Sequence, residues 1–363
     1  MTFFVLTFLT SLFSTLLVIR SADGHAGHSA DHDLSGPQKF HSRAVPRIGG
    51  LGVFVGVLAG VTWAQFTQPG ERSSLWLLLL TGLPAFISGL AEDLTKRMSP
   101  RRRLVFTALS ASLAVWLLDA VIRRTDIPGV DQLITMMPFA VALTVFVVTG
   151  VANAVNIIDG FNGLASMCVL MMLLAVTYVS FQVGDTFVVT ASLITAGAVL
   201  GFFIWNFPAG LIFLGDGGAY FLGFLLAELS VLLLHRNREV SPMFPLLLCA
   251  YPIFETIFTI YRRKVVRGVA TAAPDGIHLH TLIHRRMIRW SGGTTPERRQ
   301  TVRNSMTSPY LWLLCLLSVI PAVLWWNSTP ILATCLLMFI VAYVFLYRSI
   351  VRFKTPKWLT ARR

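Results

Sequence analysis

Apolar residues in this chain gather into long runs instead of alternating with polar ones. Eleven runs lie near 2–19, 48–66, 75–91, 104–122, 135–152, 165–181, 187–205, 219–234, 243–261, 310–326 and 330–347. Each is close to the ~20 residues at which a helix crosses the hydrocarbon core of a bilayer. The pattern predicts an all-α, polytopic integral membrane protein with about eleven transmembrane helices, forming a single transmembrane domain over 1–363. The first run lacks the positive n-region of a signal peptide, and its first charge, Arg20, comes after the apolar residues. It is read as an anchored helix with its N-terminus outside, which puts the C-terminus in the cytoplasm.

Composition agrees. Hydrophobic residues make up 55% and charged residues 13% of the 363, against ~25% charged in soluble domains, and mean hydropathy is +0.69. A soluble globular enzyme, a disordered chain and a disulfide scaffold are all excluded. The four cysteines, Cys168, Cys249, Cys315 and Cys335, fall inside apolar runs without metal-ligand spacing and read as structural. The net charge of +13 could signal nucleic-acid binding, but no such motif accompanies it. Alternating the runs from an outside start explains the charge better. The inside connectors 20–47, 92–103, 153–164, 206–218 and 262–309, with the tail from 348, hold twenty-five of the thirty Lys and Arg. Only Arg72, Arg123, Arg124, Arg236 and Arg238 lie outside, as the positive-inside bias requires. The longest connector, 262–309, lies inside, so the catalytic loops are expected on the cytoplasmic face.

Carboxylates are scarce enough to weigh singly. Glu92, Asp93, Asp159 and Asp216 all stand at inside ends of spans, where a charge at membrane depth tends to pair or bind something. The loop NAVNIIDGFNGL at 153–164 has no Lys or Arg, yet carries Asn153, Asn156 and Asn162 with Asp159. Such groups can supply oxygen ligands for Mg²⁺ and hydrogen bonds to a nucleobase or ribose; a plain polar turn has the same pattern. In FLGDGGAYFLG at 213–223, Asp216 stands between glycines before an apolar helix. It is expected to hold a metal while the helix start holds a phosphate, although an Asp capping a helix uses the same geometry. Glu92 and Asp93 precede a basic cluster ending in Arg101, Arg102 and Arg103. They could hold a metal or deprotonate a phosphate. His278 and His280 lack a third ligand at zinc spacing, which favours hydrogen bonds to a diphosphate over zinc.

Four motifs now stand in order: VPRIGG at 45–50, NAVNIIDGFNGL at 153–164, FLGDGGAYFLG at 213–223 and HLH at 278–280. With them the sequence resembles the polyprenyl-phosphate N-acetylhexosamine-1-phosphate transferases, the superfamily that includes the phospho-MurNAc-pentapeptide translocase. The resemblance covers roughly 37–290 and implies transfer of a sugar-1-phosphate from a cytosolic UDP-sugar to undecaprenyl phosphate, with release of UMP and help from Mg²⁺ or Mn²⁺. GlcNAc-1-phosphate is the expected group, initiating a lipid-linked envelope glycan. The alternatives are phospho-MurNAc-pentapeptide transfer and a non-catalytic polyprenyl-lipid transporter or scaffold. The resemblance implies Asp216 as principal metal ligand with Asn156 and Asp159 beside metal and nucleotide. It implies Asp93 as base or phosphate partner, and Lys39 near the nucleotide. His278 and His280 would meet the diphosphate or sugar, with Arg263 and Arg267 as further phosphate contacts. Glu92 stands where the family usually has Asp, and Asn162 where many members have Asp. The implied setting is a bacterial inner membrane with the site facing the cytoplasm, UDP-sugar and polyprenyl phosphate as partners, no nucleic acid, and room for a homodimer.

Overall fold

The computed structural model describes residues 1–22, 45–68, 70, 72–266, 268, 277–288 and 295–352. Lys39 and Arg267 lie outside the described residues. Those described form helices: α1 (Thr2–Arg20), α2 (Gly50–Thr67), α3 (Arg72–Thr95), α4 (Pro100–Leu118), α5 (Val130–Leu133), α6 (Met137–Ile158), α7 (Leu164–Gln182), α8 (Thr186–Asn206), α9 (Gly215–Arg236), α10 (Met243–Leu248), α11 (Ala250–Tyr261), α12 (Leu279–Arg286), α13 (Pro296–Ser305), α14 (Thr307–Leu324) and α15 (Thr329–Val351). A π-helical turn, Arg262–Val266, continues α11.

Among the described residues nine helices are long and apolar enough to cross a membrane, not eleven. The two other expected runs differ for local reasons. The run at 104–122 becomes α4, which starts with Arg101, Arg102 and Arg103 and stops at Leu118, where Asp119 turns left-handed at φ 50°. Its apolar length is therefore short. The run at 243–261 is cut into α10 and α11 at Cys249. Pro252 has no N–H to give the carbonyl four residues back, so the helix breaks there.

α9 is the axis of the bundle. Every residue from Gly215 to Leu234 is buried, and the helix packs against α2, α3, α6, α7 and α8. Small residues allow the approach: a Cβ on Gly223 would meet the Ala152 backbone of α6. α1 packs on α2 and α8 through Thr7, Ser11 and Thr15, which sit against Gly52, Gly56, Gly60, Gly197 and Gly201. Outward faces carry exposed Phe146, Phe181, Leu313, Leu317, Val341 and Phe345, the surface that lipid covers. Glu92, Arg103, Asp159 and Asp216 all lie at one end of the bundle, because α3 and α6 end where α4 and α9 begin.

Candidate active site

Three helix ends meet at this end of the bundle. The chain entering α2 runs beside the chain entering α9: Phe213 donates its N–H to the Pro46 carbonyl at 2.9 Å, Gly49 to Phe213 at 2.9 Å and Gly50 to Leu214 at 2.8 Å. VPRIGG and FLGDGG are thus one paired unit. Gly215 closes it at φ 77°, and a Cβ there would strike the Arg47 carbonyl and the Asp93 carboxylate.

Asp93 at the end of α3 is 1% exposed. Its Oδ1 accepts the Asp216 N–H and its Oδ2 the Gly217 N–H, each at 2.9 Å. The start of α9 therefore does bind an anion, as a helix N-terminus should, but the anion is Asp93 and not a substrate phosphate. Both oxygens are engaged by backbone and Asp93 is not among the residues that line the adjoining cavity, so its contacts are those of a group that orients Asp216. Asp93→Ala is expected to lower the thermal midpoint and activity together, since losing such a cap costs about 1–2 kcal/mol. Thermal unfolding and turnover of the same detergent preparation check it; activity lost at an unchanged midpoint would return Asp93 to the chemistry.

Above this junction lies a cavity of about 430 Å³, lined among others by Arg47, Glu92, Arg103, Asn156, Asp159, Asn162, Asp216, His278 and His280. Asp216 is its most contacted acid. Arg103 forms a close ion pair with Asp216 Oδ2, Asn156 donates its amide N–H to Oδ1 at 2.8 Å, and an Arg47 nitrogen lies 4.0 Å from Oδ1. Arg103 also lies over the Tyr220 ring at 5.7 Å. Burial pushes the Asp159 carboxyl up to about 7, with Arg47 pulling the other way. Glu92 lines the cavity while its Oε2 accepts the Met98 N–H at 2.7 Å. Three carboxylates and two arginines among the described residues line this cavity. Among the described residues no three His, Cys, Asp or Glu side chains converge on a metal position. Asp216 and Asp159 line the cavity with carboxylate oxygens, the ligand type a hard cation prefers.

The remaining wall is stitched by amides. Asn162, 4% exposed, donates its N–H to Asn304 Oδ1 at 2.9 Å and its side-chain N–H to Ser305 Oγ at 3.1 Å, and its carbonyl accepts the Ser308 hydroxyl at 2.6 Å. Asn206 accepts the Gly163 N–H at 2.6 Å and donates to the Ile212 carbonyl at 2.8 Å. These bonds tie the 159–163 turn to α13, α14 and the 206–214 loop. The Asn162 amide nitrogen donates to Ser305 Oγ and to the Pro208 carbonyl at 3.4 Å, bonds that a carboxylate at this position could not donate. Beside it, His284 is held down at about 4 by burial, reinforced by Arg303 and Arg285, and packs on Phe161 with ring centroids 5.1 Å apart.

The structure thus brings Glu92, Asn156, Asp159, Asn162, Asp216, His278 and His280 to one cavity. It does not bring Asp93, Asn153 or Arg263 there. Asn153 accepts the Tyr220 hydroxyl at 3.1 Å, and Arg263 is buried in the π-helical turn that continues α11. Sequence reasoning passed over Arg47, Arg103, Asn206, Thr281 and Asn304 as lining residues. Arg47 and Arg103 lay within segments already singled out; Asn206, Thr281 and Asn304 carried no pattern of their own.

Known proteins match this chain over part of its length. The model of glycosyl transferase family 4 matches residues 75–234, which run from α3 to α9. A probable undecaprenyl-phosphate N-acetylglucosaminyl 1-phosphate transferase of Bacillus subtilis is 27% identical over 279 residues, 76% of each chain. An undecaprenyl-phosphate alpha-N-acetylglucosaminyl 1-phosphate transferase of Thermotoga maritima is 29% identical over 260 residues, 71% of this chain and 74% of the relative. A phospho-N-acetylmuramoyl-pentapeptide-transferase of Oceanobacillus iheyensis is 28% identical over 211 residues, 54% of this chain and 64% of the relative. The family model thus covers about 44% of the chain, the part that holds Glu92, Arg103, Asn156, Asp159 and Asp216. The chain is a phosphotransferase enzyme embedded in a membrane, and the transporter or scaffold reading falls away.

Proposed function

We propose that this enzyme transfers GlcNAc-1-phosphate from UDP-GlcNAc to undecaprenyl phosphate at a cytoplasmic face of the bacterial inner membrane. The observation that carries this reading is the single cavity in which Asp216, Asn156, Asp159, Arg47, Arg103 and the histidine pair converge. Relatives named for N-acetylglucosaminyl 1-phosphate transfer cover more of the chain than the pentapeptide-transferase does, which favours the simple hexosamine.

An oxygen of the lipid phosphate attacks the sugar-bearing phosphorus. The bond from that phosphorus to the bridging oxygen breaks, and its electron pair leaves with UMP. A phosphate monoester has its second pKa near ~6 and is largely dianionic at neutral pH, so the attack needs no protein base. That chemistry agrees with Asp93 being engaged elsewhere. Phosphoryl transfer rests on positioning and charge stabilisation: Arg47, Arg103, His278 and His280 line the one cavity that would take the diphosphate. Mg²⁺, or Mn²⁺, held at Asp216 with Asn156 and Asp159 beside it, would neutralise diphosphate oxygens and the leaving phosphate.

Purified protein given UDP-GlcNAc, undecaprenyl phosphate and Mg²⁺ is expected to release UMP and form lipid-linked sugar. Both products should need the lipid phosphate and stop with a chelator. A UDP-sugar panel ranks the donors. Folded protein that releases no UMP with any of them would overturn the reading, and faster release with UDP-MurNAc-pentapeptide would replace GlcNAc.

A further inference from the structure

Both histidines of the 278–280 segment turn the same nitrogen towards one buried carboxylate. Glu255, on α11, is 0% exposed and belongs to none of the motifs that mark the site. Its Oε1 accepts the Leu279 N–H at 2.8 Å and lies 3.4 Å from His278 Nδ1 and 3.8 Å from His280 Nδ1. Its Oε2 accepts the Tyr343 hydroxyl of α15 at 2.7 Å. Thr259 Oγ1 stands 3.1 Å from His278 Nδ1 on the same side. The two imidazoles are stacked, with centroids 4.9 Å apart and planes 8° from parallel. The His280 ring is edge-on to Phe161 at 5.6 Å. Its Nε2 lies 3.5 Å from where a Cβ on Gly160 would stand, so it faces the cavity floor beside Asp159.

Burying a carboxylate among apolar helices is costly unless its lone pairs are met. Here a backbone N–H, a tyrosine hydroxyl and the His278 imidazole meet them, with His280 Nδ1 next at 3.8 Å, close enough for charge attraction but beyond hydrogen-bond length. An acceptor placed at Nδ1 selects the tautomer with its proton there and leaves Nε2 to serve the ligand. We propose that Glu255, steadied by Tyr343, is a positioning residue that fixes the tautomer of His278 directly and, through its charge and the ring stacking, the orientation of His280, so that both offer Nε2 to the sugar diphosphate. The proposal rests on the phosphosugar-transfer reading and gives α15, which carries no motif, a part in the site through Tyr343.

The test uses the full chain in detergent with ¹⁵N-labelled histidine. In the unaltered protein the His278 and His280 rings are expected to carry their protons on Nδ1, assigned with His278→Gln and His280→Gln. Glu255→Gln is expected to move at least one ring to the other tautomer and to raise KM for the UDP-sugar about tenfold. KM for the polyprenyl phosphate should stay unchanged, and Glu255→Asp should recover part of the loss. Tyr343→Phe, which deletes only a hydroxyl, is expected to shift the same signals less, and it decides the matter if Glu255→Gln does not fold. Unmoved ring signals, or a fall in kcat or thermal midpoint at an unchanged nucleotide KM, would overturn the proposal. If the unaltered protein releases no UMP, the functional reading fails while the ring signals still decide whether Glu255 positions the histidines.

Discussion

Asp216→Asn is expected to lower UMP release by about a thousandfold, which corresponds to about 4 kcal/mol of transition-state stabilisation. The carboxylate is the meeting point of the Arg103 ion pair, the Asn156 amide and the more distant Arg47. An amide keeps the shape, removes the charge that would hold Mg²⁺ and turns one acceptor into a donor aimed at a guanidinium. Arg103 is then buried beside a group that cannot accept its charge, and a broken buried pair costs about 3–5 kcal/mol. Stability therefore falls with activity, and the two must be separated. Turnover is to be measured per folded molecule below the variant's own thermal midpoint. The double variant Asp216→Asn/Arg103→Gln serves as the second arm, because it removes the unpaired guanidinium and leaves the loss of the carboxylate to be read in turnover. Asp216→Asn activity within tenfold of the unaltered enzyme would remove Asp216 from the centre of the chemistry.

The second large effect is expected at a glycine inside a helix. Gly89 lies on α3, one turn before Glu92 and Asp93, and a Cβ there would stand 2.5 Å from the Asp216 carbonyl carbon and oxygen and from the Gly217 nitrogen. Those atoms are backbone and cannot swing aside, so α9 must move away from α3. Gly to Ala in a helix interior ordinarily gains up to about 1 kcal/mol; here overpacking costs about 1–3 kcal/mol and reverses the sign. Displacing the start of α9 also displaces Asp216, and an error of about 1 Å at a catalytic group can cost about a hundredfold in rate. Gly89→Ala is therefore expected to lower the thermal midpoint by several degrees and turnover by about a hundredfold. Gly150→Ala on α6 is the matched control, because a Cβ there meets nothing within 4 Å. It should leave both measures unchanged or slightly raise the midpoint. Equal behaviour of the two variants would show that the α3–α9 junction is looser than its geometry states.

Much of this molecule was legible without its structure. The period of apolar and polar residues established helices, their approximate ends and a membrane setting, because a bilayer demands long uninterrupted apolar runs whatever the tertiary packing. The scarcity of acids singled out Glu92, Asp93, Asp159 and Asp216, and all but Asp93 line the cavity. Helix breaks were less legible. The interruption at Cys249 depends on how Pro252 sits within a run that hydropathy reads as continuous.

What the sequence determined by itself was local: which residues are helical, and which loops are polar enough to hold anionic substrates. Tertiary structure alone decided how those loops share work. Asp93 carries the same charge as Asp216, and no one-dimensional pattern could assign one to the cavity and the other to the backbone N–H groups beneath it. The same holds for Asn162 and Asn304, joined across 142 residues, and for Glu255 and Tyr343, joined across 88. Side-chain direction and a partner's position in space determine what a carboxylate or an amide does, and both arise only when distant segments pack.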